Sequence, residues 1–210
     1  MLIDMHNHTK KYSSCSHILV NDLIEKYIKS GIDGICITDH NYLWNEKEKN
    51  GLKKRYKDKI KVFFGMEIDV DVGHVLIFSY KDQDLYENLK YTTLDLLYKR
   101  INPETTALIW AHPLRWRDKN STYFNESAIK KFDAIELLNG NCDENTIFDT
   151  KKLFDEYKCK YVGGSDTHSV DMAVKYGTDF KNNVKDQKDL VNSIKHGKFK
   201  PIVFNNLLKS

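Results

Sequence analysis

The chain begins with residues 1–12, MLIDMHNHTKKY, in which an acid and two histidines follow a short apolar run. The apolar residues predict a buried strand, and Asp4, His6 and His8 fall at its carboxyl end. Because strand side chains alternate between faces, His6 and His8 point the same way. Such groups are costly to bury unpaired, and a bound cation would offset that cost. This stretch therefore predicts a first strand that ends in a metal site.

The rest of the chain alternates short apolar runs with amphipathic segments. Further strands are predicted at 33–38, 61–68, 74–80, 106–112, 133–139 and 160–166. Amphipathic helices are predicted at 21–31, with Asn21 as a cap, at 145–157 and at 186–197. This alternation implies an α/β fold with a mostly parallel sheet, and the number of units favours a closed barrel. Strands 61–68 and 74–80 have no helix between them and are expected to form a hairpin.

Length and composition indicate one folded domain over residues 1–210. Hydrophobic residues make up 40% and charged residues 30%, which is typical of a globular core and excludes disorder. The net charge of +3 is too small to indicate nucleic-acid binding by itself. No C-x-x-C pair, signal peptide or membrane-length apolar run is present, so we expect a cytoplasmic protein without a membrane partner. The oligomeric state stays open.

Histidines and acids recur where the predicted strands end. The residues concerned are His6, His8, Asp39, His40, Glu67, His74, His112, Asp166 and His168. His74 alone begins its strand, and the hairpin after Glu67 would return it to the same rim. In an α/β barrel the carboxyl ends of the strands share one face, where active sites form. One histidine there is often a packing residue, but six histidines and three carboxylates on one rim indicate a metal centre.

The candidate ligands outnumber what a single ion needs. Two or three divalent ions are therefore implied, with Glu67 and Asp166 as natural bridging carboxylates. Nitrogen and oxygen ligands without thiolate suit zinc, manganese or iron and do not decide among them.

Six segments, in this order along the chain, resemble the successive motifs of the PHP (polymerase and histidinol phosphatase) family. They are D-M-H-N-H, T-D-H-N, G-M-E, G-H-V-L, A-H-P and G-G-S-D-T-H. The resemblance covers residues 1 to about 204, and 177–210 resembles the end of short stand-alone members. It implies a distorted (β/α)7 barrel, two or three metal ions at the carboxyl ends of the strands, and hydrolysis of phosphoesters.

The resemblance also implies how the ligands divide among the ions. The sets are His6, His8, Glu67 and Asp166 for a first ion, His40 and His168 for a second, and Glu67, His74 and His112 for a third. Many relatives place an Asp or His a few residues after the H-x-H pair, but this chain has TKKYSSCSH there. Cys15, His17 or a water molecule would take that place.

Two acids beside the ligands are assigned supporting or catalytic roles. Asp39 precedes His40 and would orient a ligand or shuttle a proton during catalysis. Asp4 precedes the H-x-H pair and would support the ligands from behind.

Substrate-binding candidates follow two of the predicted strands. Arg115 and Arg117 come just after the A-H-P motif, and an arginine fork suits a phosphate group. Arg115 is the preferred candidate, for catalysis as well as binding. Trp116 between them either stacks on a base or sugar or only packs. Asn139, at the end of strand 133–139, would line the pocket through hydrogen bonds.

The first functional interpretation is a metal-dependent phosphoesterase that hydrolyses a small phosphomonoester or nucleotide with metal-activated hydroxide. An exonuclease, acting either 5′ to 3′ or on short oligonucleotides, is the alternative within the same chemistry. Alternatives of other classes are an amidohydrolase or deaminase and a non-catalytic metal-binding module. Amidohydrolase barrels usually show a bridging lysine on a middle strand, and no lysine stands at the corresponding strand ends here.

Overall fold

The computed structural model describes residues 1–81, 92–116, 124 and 126–204, which form a mixed α/β fold. Its strands are β1 (Leu2–Asp4), β2 (Gly34–Ile37), β3 (Lys61–Phe64), β4 (Met66–Val70), β5 (Gly73–Ser79), β6 (Thr106–Ala111), β7 (Ala134–Asn139), β8 (Tyr161–Gly164), β9 (Tyr176–Phe180) and β10 (Phe199–Val203). Its helices are α1 (Val20–Lys29), α2 (Glu46–Tyr56), α3 (Leu94–Arg100), α4 (Glu126–Ile129), α5 (Glu144–Asp155) and α6 (Gln187–His196). Among the described helices, none has the length and apolar character needed to cross a bilayer.

The strands form two five-stranded sheets, in the orders β10-β9-β1-β2-β3 and β4-β5-β6-β7-β8. The pairs β1–β2, β2–β3, β6–β7 and β7–β8 are parallel, whereas β1–β9, β9–β10, β4–β5 and β5–β6 are antiparallel. Only half of these eight strand pairs are parallel, so the prediction of a mostly parallel sheet is wrong. The predicted hairpin is confirmed, since β4 and β5 pair directly with Asp69 opposite His74.

Segment 61–68 is two strands, and the prediction of one strand there is wrong. Strand β3 pairs with β2 in the first sheet, and β4 pairs with β5 in the second. Gly65 lies between them, and a Cβ atom there would come within 2.6 Å of the Phe78 ring and 2.7 Å of the Ile77 carbonyl oxygen. The missing side chain lets the backbone pass close to β5 as it changes sheet.

The helices cover the sheets with apolar faces, as their periodicity predicts. Leu23, Ile24 and Tyr27 of α1 are buried in one core cluster with residues of β2 and β3. The predicted cap is wrong, because α1 begins at Val20, and the Asn21 side chain instead accepts a hydrogen bond from the Tyr56 hydroxyl at 3.0 Å. Each fully buried side chain of this size contributes about 1.5–3 kcal/mol, so α1 is held mainly by packing.

Backbone contacts join the two sheets where the strands end. Single parallel bridges pair His40 with Glu67 and Asn7 with Thr167. The Asp166 amide donates to the His6 carbonyl oxygen at 2.8 Å. The motif segments that follow β1, β2 and β8, and the start of β4, are thereby fixed side by side.

Candidate metal centre

The side chains of the predicted metal ligands meet around the carboxylate of Glu67. Glu67 Oε2 lies 3.2 Å from His6 Nε2, 3.0 Å from His8 Nε2 and 3.2 Å from His40 Nδ1. Its other oxygen, Oε1, lies 2.7 Å from His74 Nδ1 and 3.1 Å from His112 Nε2. Glu67 is 1% exposed. One buried carboxylate therefore contacts five imidazole rings, which come from segments far apart in the sequence.

Asp166, two residues after the end of β8, faces the same group. Asp166 Oδ1 lies 3.3 Å from His8 Nε2 and 3.5 Å from His6 Nε2. Its Oδ2 accepts hydrogen bonds from Arg115 Nη1 at 2.9 Å and Asn139 Nδ2 at 3.2 Å. The eighth predicted ligand, His168, places Nδ1 3.6 Å from Asp166 Oδ1. Asp166 thus joins the histidines on one side to Arg115 on the other.

The donor set fits divalent cations. His6 Nε2 and His8 Nε2 face each other at 2.9 Å, a separation that one ion with bonds of about 2.0–2.2 Å can span. Four overlapping groups have ligand atoms within 4.8 Å of one another: His8, His40 and His168; His6, Glu67 and His112; His6, His8 and Asp166; His40, Glu67 and His74. Because these groups share residues without coinciding, the arrangement suits more than one ion.

The centre opens into a cavity of about 370 Å³. Six ligand residues line it, namely His40, Glu67, His74, His112, Asp166 and His168. The rest of its wall comes from Cys15, Arg115, Trp116, Asn141 and Met172. A small anion in this cavity would lie among six of the predicted ligands and Arg115.

A family model described as the PHP domain matches residues 4–195 of this chain, which is most of its length. The chain belongs to the PHP domain family. No curated protein matches it.

Solved structures share the PHP fold at low sequence identity. PsfC from Pseudomonas syringae matches with a TM-score of 0.67 and 16% identity, over 99% of this chain and 96% of its own. A candidate metal-dependent phosphoesterase from Bifidobacterium adolescentis matches with a TM-score of 0.62 and 15% identity, over 79% and 87%. An amidohydrolase from Chromobacterium violaceum, with bound sulfate and no metal, matches with a TM-score of 0.63 and 13% identity, over 80% and 87%.

Hydrogen bonds on the far side of the rings orient the histidines of this PHP domain. His6 Nδ1 lies 3.0 Å from Glu136 Oε1, and a carboxylate only accepts, so Nδ1 carries the proton and Nε2 is free for a metal. His168 Nδ1 lies 2.9 Å from the Asp166 carbonyl oxygen, with the same consequence. His8 Nδ1 lies 3.2 Å from the Ser13 hydroxyl. In these three histidines Nε2 is thus the nitrogen able to coordinate a metal.

Asp39 is placed as a supporting group. Its carboxylate accepts from the Thr9 amide at 2.6 Å, the Thr9 hydroxyl at 2.7 Å, the Ser13 hydroxyl at 2.7 Å and Trp44 Nε1 at 2.8 Å. It is fully buried, and Ser13 connects it to His8. These contacts favour the orienting role over the proton shuttle, because four donors occupy its oxygens.

Asp4 lies at the end of β1, two residues before His6. It accepts hydrogen bonds from the amides of His6 and Ser165, at 3.1 and 3.0 Å, and from the Tyr27 hydroxyl. Burial raises the pKa of Asp4 to about 6, although these donors act in the opposite direction. Asp4 therefore ties the end of β1 to the segment that follows β8.

The remaining four candidate residues differ in their position relative to the cavity. Cys15 is exposed and lines the cavity, whereas His17 joins none of the ligand groups found among the described residues. Asn139 is fully buried and donates to Glu136 and Asp166, so it lies beneath the ligands rather than in the cavity wall. Its neighbour Asn141 lines the cavity instead. Arg117 lies outside the described residues.

Strained backbone marks the ends of the motif strands. Asn41, His112 and Asp166 have φ angles of 51°, 27° and 50°, in a region that side chains other than glycine rarely adopt. Such residues persist where surrounding contacts fix them, and they cluster at functional sites. Two of the three are predicted ligands, and the third follows His40.

The protonation states of the predicted ligands depend on one another. Burial alone would raise the pKa of Glu67 and Asp166, but the surrounding histidines hold both well below their usual range. Burial lowers the pKa of His40 to about 4. Burial would also lower that of His74, but contacts with Asp69 and Glu67 raise it to about 9. Because coordination needs neutral imidazoles, metal uptake by this set releases protons.

Glu136 is a candidate supporting residue that the sequence did not point to. It is 1% exposed, and its two oxygens accept from His6 Nδ1, the His112 amide and Asn139 Nδ2. The signal was present, since Glu136 is the one carboxylate in β7 and has apolar residues on both sides in the sequence. A buried acid in such a strand indicates a polar partner on that face.

Glu136→Gln is expected to weaken metal binding by about 10- to 100-fold, as is typical when a group supporting a ligand is altered. Whichever way the new amide turns, its NH2 group faces a donor, either the proton on His6 Nδ1 or those of the His112 amide and Asn139. Competition with a chromophoric chelator measures the affinity. Glu25→Gln on the exposed face of α1 is the control, and equal affinities in the two variants would refute the role of Glu136.

Proposed function

We propose that this PHP domain is a metal-dependent phosphoesterase that hydrolyses a small phosphomonoester or a nucleotide. The observation that carries the proposal is the cluster of eight metal-type ligands, Glu67 among them, which opens into a cavity with Arg115 in its wall. A cavity of about 370 Å³ suits a small phosphorylated molecule better than a long chain.

We propose the ligand division that the family resemblance implies, with His6, His8, Glu67 and Asp166 for a first ion, His40 and His168 for a second, and Glu67, His74 and His112 for a third. The observed groups overlap these sets but divide some residues differently, since His8 joins His40 and His168, and His74 and His112 fall in separate groups that both contain Glu67. Zinc, manganese and iron all suit these donors. Such ions, when bound, supply hydroxide at neutral pH and offset the charge that builds on a phosphate. We also infer a distorted (β/α)7 barrel, which the His40–Glu67 and Asn7–Thr167 bridges between the sheets support.

Arg115 is proposed to bind the phosphate and to stabilise charge as the ester bond breaks. Its guanidinium lies in the cavity wall, and Nη1 is held 2.9 Å from Asp166 Oδ2. That contact uses one of five N–H donors, so the fork retains donors for phosphate oxygens. Because Asp166 already holds the guanidinium before a phosphate binds, the Arg115 side chain loses little conformational freedom when the phosphate binds.

The test compares substrates with one preparation loaded separately with zinc, manganese or iron(II). Phosphate release from p-nitrophenyl phosphate and a panel of phosphorylated metabolites is expected with at least one metal, and chelation should abolish it. Nucleotide release from short RNA or DNA, without monoester hydrolysis, would favour the exonuclease alternative. Hydrolysis of amides alone would favour an amidohydrolase. Metal binding without any turnover would indicate a non-catalytic module.

A further inference from the structure

Trp116 differs from the other two tryptophans of the chain in its exposure. Trp44 and Trp110 are 3% and 0% exposed and pack in the interior, whereas Trp116 is 64% exposed. It lies in the wall of the cavity that holds the ligands. None of the described residues accepts a hydrogen bond from its indole nitrogen. A single exposed aromatic is common on a protein surface, so the exposure of Trp116 is informative only because the residue also lies beside the predicted ligands.

The indole is held beside the metal ligands. Its ring centre lies 5.1 Å from that of His74 and 5.2 Å from that of His112, with the ring planes steeply inclined. The guanidinium carbon of Arg115 lies 4.3 Å from the indole centre, a cation–π contact. Contacts with two ligands and with the proposed phosphate-binding arginine fix the ring while leaving most of it exposed.

A second cavity meets the first at this residue. It has a volume of about 410 Å³ and shares Trp116, His74 and His112 with the ligand cavity. Asp69, Gly73 and Pro113 are among the residues on its other sides. The indole is therefore a wall common to both spaces, and a molecule whose phosphate reaches the ligands can extend along it into the second cavity.

We propose that Trp116 is a stacking platform for a flat ring in the alcohol part of the substrate. The preferred substrates are then phosphoesters of nucleosides or similar heterocyclic alcohols, rather than aliphatic phosphoesters. This inference rests on the proposed phosphoesterase function and specifies its substrate class. Every nucleobase has a face that stacks on an indole, so the platform selects aromatic character and not a particular base.

Fluorescence tests the contact independently of turnover. Because the other two tryptophans are buried, quenching by an added solute reports mainly on Trp116. The zinc-loaded protein, excited at about 295 nm where the indole absorbs, is mixed in a stopped-flow instrument with AMP or with glycerol 3-phosphate. AMP is expected to quench the emission and glycerol 3-phosphate is not. Absence of quenching by AMP would overturn the proposal.

Kinetics test the consequence for specificity. The ratio of kcat/KM for AMP to that for glycerol 3-phosphate is expected to fall by about 10- to 100-fold in Trp116→Ala, and far less in Trp116→Phe, which keeps a stacking face. Phe148→Ala removes a similarly exposed aromatic from α5 and should leave the ratio unchanged. An equal loss on both substrates in Trp116→Ala would overturn the proposal in favour of a packing role.

The two proposals fail in different ways. Quenching by AMP without hydrolysis of any phosphoester would support the stacking site and refute the phosphoesterase. Hydrolysis of both substrates without quenching would support the phosphoesterase and refute the stacking site.

Discussion

Glu67→Gln is expected to lower phosphoesterase activity by about 10³-fold, since a metal centre supplies several kcal/mol of stabilisation to the reaction. The carboxylate contacts five histidines, and two of the four ligand groups contain it. Glutamine has nearly the same shape, but it replaces one acceptor oxygen with an NH2 group and removes the negative charge. Steady-state hydrolysis of the best substrate, with metal content measured on the same samples, checks this.

Glu126→Gln is the matched control, because Glu126 lies on α4 and is more than half exposed. It should retain wild-type activity and metal content. If Glu67→Gln bound the full complement of metal and turned over at the wild-type rate, the assignment of Glu67 as a shared ligand would be wrong. A circular dichroism spectrum like that of the wild type would show that the loss is not caused by unfolding.

Gly164→Ala is expected to destabilise the protein by about 1–3 kcal/mol or more, because it overpacks a site without free space. A Cβ at Gly164 would lie 2.5 Å from His6 Cβ, 2.7 Å from Glu136 Oε1 and 2.9 Å from the His6 amide nitrogen. Two of these atoms, the Cβ and the amide nitrogen, belong to His6 just after β1, so the His6 backbone must shift. The variant should therefore also lose metal affinity, which thermal unfolding with and without added metal would reveal.

Gly51→Ala makes the same chemical change where no atom lies within 4 Å. Gly51 is inside α2, where alanine is favoured over glycine by about 0.5–1 kcal/mol, so this variant should be neutral or slightly stabilised. If the two variants unfolded at the same temperature, the close approach of Gly164 to His6 and Glu136 would not matter for stability.

The clustering of the predicted ligands could be anticipated from sequence because their positions follow from simple rules. A period of two places His6 and His8 on one face, and strand ends on one rim bring Asp166 near them. These rules need only the local pattern and the order of the strands. The structure accordingly places the predicted ligands His6, His8, His40, Glu67, His74, His112, Asp166 and His168 together.

What the sequence did not reveal depends on contacts between distant segments. The sequence around Gly65 is compatible with one strand over 61–68 or with two. The close approach of β5 to Gly65, which the local sequence does not show, decides that there are two. Glu136 is separated from His6 by 130 residues, so its role follows from tertiary pairing alone. Ser13, in the stretch that follows the H-x-H pair, donates to Asp39 and contacts His8. Nothing in the sequence pattern indicates that the Ser13 hydroxyl makes these contacts.

The central claim is that this side-chain cluster binds several divalent ions, and elemental analysis tests it most directly. Protein purified without added metal, and again after loading and desalting, should contain roughly two to three equivalents of zinc, manganese or iron per chain. Removal by a chelator should lower the unfolding temperature, since a ligand bound only by the folded state stabilises it. A protein that stays metal-free after loading, with an unfolding temperature indifferent to chelator, would contradict the account.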